Sequence, residues 1–362
     1  MMDSACYWPW LAAALGYGAG GAAGLLEVYG TAQAVYESRF TEDLSPFLQP
    51  AQLARLQALE PEEFEGTLRA CRAKGIQMLP LGSPCYPAAF MNMPDAPVVL
   101  YCTGEPAALS GGPYVGMVGS RRPSPYGVQA AAALGDALAG AGAVLVSGLA
   151  DGLDGEAHRA AVRRHMPTVA VLGCAIDRTY PACNAPLRRQ IEREGGVTVS
   201  EYGPGTASTP NYFLLRNRLI AALSDALLVV EARLKSGTMS TVRHAERYGC
   251  PVYAVPGSIF SPVSEGANAL LAGGRAQAAT CARDILGPLG LEEKDETRAV
   301  EPAALSAAAQ KVLALIGARA QSLEELKCAS DLDAGAVLAA LTELELAGRV
   351  SALAGRRYQL RQ

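Results

Sequence analysis

The chain has 362 residues, half of them hydrophobic, and a formal net charge of −4. This length and composition predict a globular protein with two or three domains and a sizeable buried core. No stretch reaches the roughly 20 apolar residues of a membrane-spanning helix, and the apolar N-terminal segment has no basic leader, so we expect a cytoplasmic protein.

Residues 1–75 have the pattern of an N-terminal helical domain of helix-hairpin-helix or SAM-like type. Gly16, Gly18 and Gly21 have the G-x-G-x-x-G spacing of a dinucleotide site, but a helical pattern precedes them where such a site needs a strand. We interpret the glycines as a turn between helices, either one that contacts nucleic acid or a plain connection. Residues 76–112 read as an extended, proline-punctuated connection.

Between residues 113 and 286, short apolar runs alternate with helical stretches. The predicted strands are 114–118, 143–147, 168–172, 197–200, 226–230 and 252–255. The predicted helices between them are 127–141, 154–165, 185–194, 212–223 and 238–248. This alternation is typical of an α/β fold, a parallel sheet with helices on both faces, whose ligands bind at the carboxyl ends of the strands.

Residues 287–304 have the composition of a linker. The remaining segment, 305–362, has the pattern of a winged helix-turn-helix, with a short hairpin after helices at 305–317, 322–329 and 333–347. Its third helix has no Lys or Arg but contains Asp333, Glu343 and Glu345. Because a DNA duplex would repel this helix, we interpret the domain as a protein-interaction or structural module.

Small and polar residues follow five consecutive predicted strands and therefore converge on one edge of the sheet. The turn Gly119–Gly127 leads from a strand into a helix, which aims backbone N–H groups and the helix dipole at one point, where an anion fits. Arg121 and Arg122 in this turn make phosphate the first candidate. Residues 112–286 hold 17 Lys and Arg against 13 Asp and Glu, whereas both flanking parts are acidic.

Two further groups point to the same edge. Arg216, Asn217 and Arg218 lie around the start of the predicted helix 212–223, where cations oppose the helix dipole and therefore suggest phosphate contact. The run from Lys235 through Ser236 and Gly237 to Thr238 resembles a second anion cradle. It lacks the spacing of a P-loop, so hydrolysis of ATP or GTP is not supported.

Asp154 and His158 are four residues apart on a predicted helix, a spacing that suits a metal or an acid–base pair. Since no third ligand is near in sequence, we interpret Asp154 as a helix cap and His158 as a hydrogen-bonded structural histidine. The nine cysteines form no C-x-x-C pair and are expected to be reduced. The sequence predicts no metal site, no cofactor and no catalytic residue.

Taken in order, the motifs of the central region resemble the DprA family of DNA-processing proteins, also called Smf. The residues that carry the resemblance are Val118–Arg121, Ser124, Tyr126–Gly127, Ser147–Gly148, Gly152–Asp154, Ala157–His158, Tyr180–Pro181, Asn184, Ser200–Glu201, Arg216–Arg218, Val230–Ala232, Ser236–Thr238 and Val255–Gly257. The likeness extends more weakly to the N-terminal helical domain and to the winged helix.

The resemblance implies an extended Rossmann-like domain that binds and protects single-stranded DNA. It also implies a homodimer that loads the recombinase RecA onto the strand during natural transformation, with no enzymatic activity. Carried over, Arg121 holds a phosphate, and the backbone N–H groups of Gly119, Ser120, Ser147 and Gly148 line a pocket. Tyr180 stacks on a base. The whole expected set for DNA or phosphate is Gly119, Ser120, Arg121, Arg122, Ser124, Tyr126, Gly127, Ser147, Gly148, Arg178, Tyr180, Asn184, Arg216, Asn217, Arg218, Lys235, Ser236, Gly237 and Thr238.

Some positions depart from the family pattern. Asp151 stands where an arginine is frequent, and Ala182 follows the Tyr-Pro pair where a basic residue is frequent. Arg178 or Arg188 could compensate. The departures predict a DNA affinity below that usual in the family.

The fold also resembles phosphoribohydrolases that cleave nucleoside monophosphates and carry the signature P-G-G-x-G-T-x-x-E. Aligning Gly237 and Thr238 with its G-T puts Thr241 at the position of the catalytic glutamate, and no P-G-G precedes them. Without that carboxylate nothing evident stabilises the oxocarbenium-like charge, so binding is favoured over catalysis. A nucleotide-binding scaffold without a groove for a strand is a third possibility.

Overall fold

A nine-stranded sheet organises the first part of the chain. The structure is a computed structural model that describes residues 3–293, 305–316, 321–347, 349–353 and 357–360. The chain divides into two compact units, Met1–Lys294 and Asp295–Gln362. The strands of the first unit are β1 (Gln77–Pro80), β2 (Val99–Gly104), β3 (Tyr114–Val118), β4 (Val144–Ser147), β5 (Thr168–Val171), β6 (Val197–Ser200), β7 (Ala226–Val229), β8 (Val252–Ala254) and β9 (Gln277–Ala278).

The strands are arranged in the order β1-β2-β6-β5-β4-β3-β7-β8-β9. Strands β3 to β9 pair in parallel, and β1 and β2 add an antiparallel edge. The six predicted strands are all present, and the Rossmann-like α/β prediction is confirmed. Every residue of β3 to β8 is buried, as expected for short apolar strands covered on both faces.

Helices cover both faces of this sheet. They are α1 (Tyr7–Leu15), α2 (Ala22–Tyr29), α3 (Ala32–Ser38), α4 (Pro50–Ala58), α5 (Glu65–Ala73), α6 (Ala88–Met91), α7 (Pro125–Gly140), α8 (Leu153–Arg163), α9 (Ala185–Arg193), α10 (Pro210–Leu223), α11 (Thr238–Arg247), α12 (Glu265–Ala272) and α13 (Arg283–Leu286). Leu134 and Leu138 of α7 pack with Val115 on one face, whereas Leu219 of α10 and Val242 of α11 belong to the core on the other.

The N-terminal helices share a hydrophobic core with the sheet. Trp10 and Leu11 of α1 belong to the same buried cluster as Tyr101 of β2, Leu172 after β5 and Ile191 of α9. Residues 1–75 and 76–112, expected as a helical domain and a connection, are therefore built into one unit with the central region. Prolines that interrupt the second segment concealed β1 and β2 from the sequence pattern.

The glycines at 16, 18 and 21 form the turn between α1 and α2, so the predicted turn between helices is present. Gly18 has φ +68°, and a methyl group on its Cα would clash with the side chain of Leu215 in α10. The turn thus packs tightly against the helix that lines the cleft described below.

The second unit is a small three-helix domain with a three-stranded sheet of order β10-β12-β11. Its elements are α14 (Ala307–Leu315), β10 (Gln321–Ser322), α15 (Leu323–Ser330), α16 (Ala334–Leu346), β11 (Val350–Leu353) and β12 (Arg357–Leu360). Val312, Leu326, Leu341 and Tyr358 form its core. The winged helix is confirmed, with β10 as an additional short strand. Of the predicted linker, residues 294–304 lie outside the described residues.

Because α1 and the sheet share a core, we expect Trp10→Ala to destabilise the whole first unit. Trp10 is fully buried, and its indole N–H donates to the carbonyl of Leu59 at 2.9 Å. The loss should be about 3–5 kcal/mol, measured by denaturant unfolding followed by circular dichroism. Val28→Ala, at an exposed position, should change stability by no more than about 0.5 kcal/mol. If the N-terminal helices unfolded in a separate, earlier transition that left the sheet intact, the conclusion that they share a core with the sheet would be wrong.

Candidate functional site

A cleft of about 880 Å³ opens at the carboxyl edge of the parallel strands. Beside it the chain order of the sheet reverses, because β3 pairs with β4 on one side and with β7 on the other. Such a reversal leaves a crevice between the loops that leave the two strands, the usual ligand position in open α/β sheets. The walls come from the loop after β3, the first turns of α10 and the start of α11.

The structure brings ten of the expected site residues together around this cleft. They are Gly119, Ser120, Arg121, Arg122, Tyr180, Arg216, Asn217, Ser236, Gly237 and Thr238. These residues come from the loops after β3, β5 and β7 and from α10, which are far apart in sequence. Their convergence follows from the parallel arrangement of the strands that precede them.

Cations at this site fall into two classes, and the exposed class lies at the mouth of the cleft. Arg121 and Arg122 are exposed, and so is Arg233, which the sequence analysis missed. None of the three guanidinium groups forms an ion pair with a carboxylate among the described residues. They are free to meet an anionic ligand.

Two aromatic rings stand beside these cations. The ring of Tyr180, 57% exposed, is tilted against that of Phe213 with centroids 5.1 Å apart. The guanidinium carbon of Arg121 lies 6.0 Å from the centroid of Phe213. Phe213 was not predicted as a site residue, although its place one turn into α10 puts it on the same wall.

Two helices begin at the cleft. Thr209 precedes α10 without capping it through its side chain, and Ser208, Thr209 and Pro210 line the wall. Gly237 precedes α11, also without a side-chain cap. Neither helix has an acidic residue in its first turn, so both present a positive dipole end to the cleft.

The expected position of the arginines in α10 is corrected. The helix begins at Pro210, because proline suits a first helical position, so Arg216 and Arg218 lie in its interior rather than around its start. Opposition to the dipole therefore does not explain them. Thr209-Pro210 is the signal in the sequence that marks the true start.

Arg216 forms the buried floor of the cleft. It is 3% exposed, and its Nη1 donates to the carbonyl of Gly148 at 2.7 Å and also to the carbonyl of Val171. Burial lowers the pKa of this guanidinium, while the nearby carboxylate of Asp154 opposes that shift. Arg216 ties α10 to the ends of β4 and β5.

Asp154 faces Arg216 across the floor. It follows the first residue of α8 and does not cap the helix, since Gly152 precedes α8 without a side-chain cap. Burial raises the pKa of Asp154, and opposing contributions come from Arg216, the N–H of Gly148, Arg121 and the N–H of Gly119. A buried carboxylate thus lies near the backbone groups at Gly119 and Gly148 that were expected to receive a phosphate.

The start of α7 also has an internal anion. Glu231, 1% exposed, accepts the backbone N–H of Ser124 at 2.9 Å and the hydroxyl of Ser124 at 2.5 Å. Gly127 lies against the same carboxylate, where a methyl group would clash. Ser124 caps the helix by accepting the N–H of Gly127 at 3.1 Å. Ser124 and Gly127 are therefore structural here, and the assignment of this helix start to an external phosphate is corrected.

Three other expected contacts are buried in the fold. The hydroxyl of Ser147 donates to the carbonyl of Met117 at 2.6 Å, and Asn184 donates to the carbonyls of Leu149 and Ala150 at 3.0 and 3.1 Å. Arg218, 1% exposed, donates to both oxygens of Glu201 at 2.7 and 2.8 Å. These side chains cannot reach a strand at the surface.

Arg218 also donates to the carboxylate of Asp95 at 3.0 Å, so two acids neutralise it. The remaining expected residues, Tyr126, Arg178 and Lys235, are exposed but lie outside the cleft lining. The hydroxyl of Tyr126 donates to the carbonyl of Pro256 at 2.7 Å. Arg178 and Lys235 remain expectations for a longer binding surface.

The interpretation of His158 as a hydrogen-bonded structural residue holds. It is fully buried, and its Nδ1 lies 2.9 Å from the hydroxyl of Thr168. Burial, with the charges of Arg216 and Arg159, lowers its pKa to about 3, so the ring is neutral. Within the described residues, no group of three or more His, Cys, Asp and Glu is placed to hold a metal ion. The helices searched include none that is both long and apolar enough for a membrane span.

Comparison with known proteins identifies the family. The family model for DNA recombination-mediator protein A matches residues 77–290, and the model for the DprA winged helix domain matches residues 296–356. The chain belongs to the DNA recombination-mediator protein A family. This agrees with the DprA resemblance of the sequence motifs. The DNA processing protein DprA of Bacillus subtilis is 35% identical over 253 residues, which cover 68% of this chain and 84% of that protein.

Two solved structures of DprA proteins are similar to the chain. The X-ray structure of DprA from Streptococcus pneumoniae has a TM-score of 0.65 and 29% identity, covering 78% of this chain and 97% of that one. DNA processing protein A from Helicobacter pylori, whose structure describes a single-stranded DNA binding mode, has a TM-score of 0.54 and 35% identity. That match covers 59% of this chain and 95% of that one.

We expect Arg218→Met to be strongly destabilising, because it leaves Glu201 buried without its partner. The loss should be about 3–5 kcal/mol in denaturant unfolding. Arg159→Met, which breaks an exposed pair with Glu156, is the control and should cost about 1 kcal/mol or less. Wild-type stability in Arg218→Met would contradict the structural role given to Arg218.

Proposed function

We propose that the protein binds single-stranded DNA along the cleft at the carboxyl edge of the sheet. The observation that carries the proposal is the unpaired Arg121 beside the exposed ring of Tyr180 and that of Phe213. Cations and aromatic faces together are the recurring chemistry of single-strand binding, in which phosphates meet charges and bases stack on rings. The single-stranded DNA binding described for the related protein of Helicobacter pylori supports it.

The path of the strand follows from the charges that remain unpaired. Arg121, Arg122 and Arg233 at the mouth take phosphates, and the starts of α10 and α11 offer N–H groups and positive dipole ends. Tyr180 and Phe213 offer surfaces on which unpaired bases stack. Paired bases of a duplex cannot present their faces to these rings, so the site favours the single strand.

The enzyme alternative has no support in the cleft. Thr241 lines the wall where the related hydrolases carry a catalytic glutamate. Asp154, the carboxylate in the cleft lining, is buried and lies near the charges of Arg216 and Arg121. We propose a binding protein without enzymatic activity.

Membership of the recombination-mediator family is the basis for proposing a wider cellular role. We propose that the protein works in the cytoplasm, protects incoming single strands and loads the recombinase RecA onto them in natural transformation. We also propose that it acts as a homodimer. These partners rest on the family resemblance, whereas the strand-binding cleft rests also on the geometry of the described residues.

The direct test compares single-stranded with duplex DNA of equal length in a mobility-shift assay. We expect the wild-type chain to shift the single strand at lower protein concentration than the duplex, because only unpaired bases can stack on the exposed rings. Equal affinity for both forms would contradict the proposed mode of binding.

Arg121→Ala should weaken single-strand binding for all sequences by about 1.5–3 kcal/mol, the usual worth of a charge-assisted hydrogen bond. The slope of log K against log salt should become shallower by about 0.7, the contribution of one phosphate contact. Fluorescence anisotropy at several salt concentrations measures both quantities.

Arg193→Ala is the matched control for this substitution. Arg193 is an exposed arginine at the end of α9, and the carboxyl ends of helices that follow parallel strands lie at the edge of the sheet away from the cleft. Its affinity and salt slope should equal those of the wild type. An unchanged slope in Arg121→Ala, or an equal loss in both variants, would argue against the cleft.

A chain that ends at Glu301 tests the role of the winged helix. The cleft is formed entirely within the first unit, and α16 carries no cation. We therefore expect the shortened chain to bind single strands with an affinity within about threefold of the full chain, or less than about 1 kcal/mol apart. Loss of binding in a folded shortened chain would assign DNA contact to the winged helix.

A further inference from the structure

Two buried carboxylates, those of Glu231 and Asp154, lie at the point where the strand order reverses. Strand binding as proposed above uses neither of them. Glu231 directly follows the end region of β7 and reaches across to the first turn of α7, 107 residues earlier in the chain. Asp154 comes from α8, is buried, and lines the cleft together with Gly119 and Ser120 of the loop after β3.

In open α/β sheets, the positions around such a reversal are those where the phosphates of a nucleotide bind. A nucleotide bound at such a reversal places its phosphates against the turn after the first strand, on the N–H groups at the start of the next helix. Here that turn is Gly119–Ser124 and that helix is α7. The N–H and hydroxyl of Ser124 are bound to Glu231. Asp154 is a buried carboxylate that lines the cleft together with Gly119.

We infer that Glu231 and Asp154 are specificity-determining residues that lie where the phosphates of a free nucleotide would bind after β3 and thereby exclude nucleoside phosphates from this edge of the sheet. The inference deepens the proposed function, on which it rests, by separating a polynucleotide from a mononucleotide as ligand. Backbone phosphates of a strand are held at the mouth, by the unpaired arginines and by the starts of α10 and α11.

Charge and space both support this assignment. The terminal phosphate of a nucleotide carries close to two negative charges, and the low polarity around the buried Glu231 strengthens its repulsion by a carboxylate. The contact between Gly127 and Glu231 leaves no room for a second anion at the start of α7. A strand phosphate carries one charge and stays at the exposed mouth, so it avoids both carboxylates.

The test uses the full chain, with ADP and inorganic phosphate as the probes and isothermal titration calorimetry as the measurement. We compare the wild type with Glu231→Ala, which frees the N–H of Ser124, and with Asp154→Ala, which removes the carboxylate beside Gly119. Glu246→Ala is the matched control, because Glu246 is a carboxylate at the surface, paired with Arg275. Binding of a thymidine oligonucleotide is measured alongside for every protein.

We expect the wild type and Glu246→Ala to bind ADP too weakly to detect at millimolar concentration. At least one of the two variants should bind ADP at least about tenfold more tightly than the detection limit that bounds the wild type. In Glu231→Ala, inorganic phosphate should raise the melting temperature saturably, as a replacement for the lost carboxylate, beyond the effect of chloride at equal ionic strength.

Two outcomes would overturn the inference. One is wild-type binding of ADP that competes with the oligonucleotide, and the other is no gain of ADP binding in either folded variant. If an alanine variant fails to fold, Asp154→Asn keeps the shape of the side chain without its charge and is held to the same tenfold criterion. If the wild-type protein does not bind the oligonucleotide, the proposed function itself is refuted, whatever the result with ADP.

Discussion

The buried guanidinium of Arg216 is the contact on which the shape of the cleft depends. One side chain of α10 reaches the carbonyl groups of Gly148 and Val171, at the ends of two neighbouring strands, and lies next to the carboxylate of Asp154. A charge this deeply placed is tolerated only because polar groups surround it. The same contacts fix how far α10 stands from the sheet, and so where Phe213 and the start of the helix stand in the cleft wall.

Pairing with carboxylates divides the arginines of the basic central region into two kinds. Arg163, Arg188, Arg218, Arg275 and Arg283 are each paired with carboxylates. The excess of cations counted along the sequence is therefore a poor guide to where an anion binds. A few unpaired guanidinium groups at the mouth of the cleft matter more for anion binding than the total number of cations, because a carboxylate already neutralises each paired charge.

The sequence predicted the parallel strands well because they are short apolar runs between turn residues. A strand that is covered on both faces can be recognised from such a run alone. It failed for β1 and β2, which lie in a segment interrupted by prolines, and for the start of α10. It could not reveal that Ser124 binds Glu231 or that Arg218 binds Glu201. Such partners meet only after folding, and a motif shows which residues matter without showing whether they face a ligand or each other.

The apolar core shared by α1 and the sheet affects whether the region matched by the family model is stable without the N-terminal helices. The matched family region begins at residue 77, after the helices that contribute Trp10 and Leu11. If the chain were cut at that boundary, Tyr101 and Leu172 would lose the helices that cover them. The exposed apolar surface would promote self-association of the remaining chain. The helical segment thus covers one face of the sheet and keeps this apolar surface away from solvent.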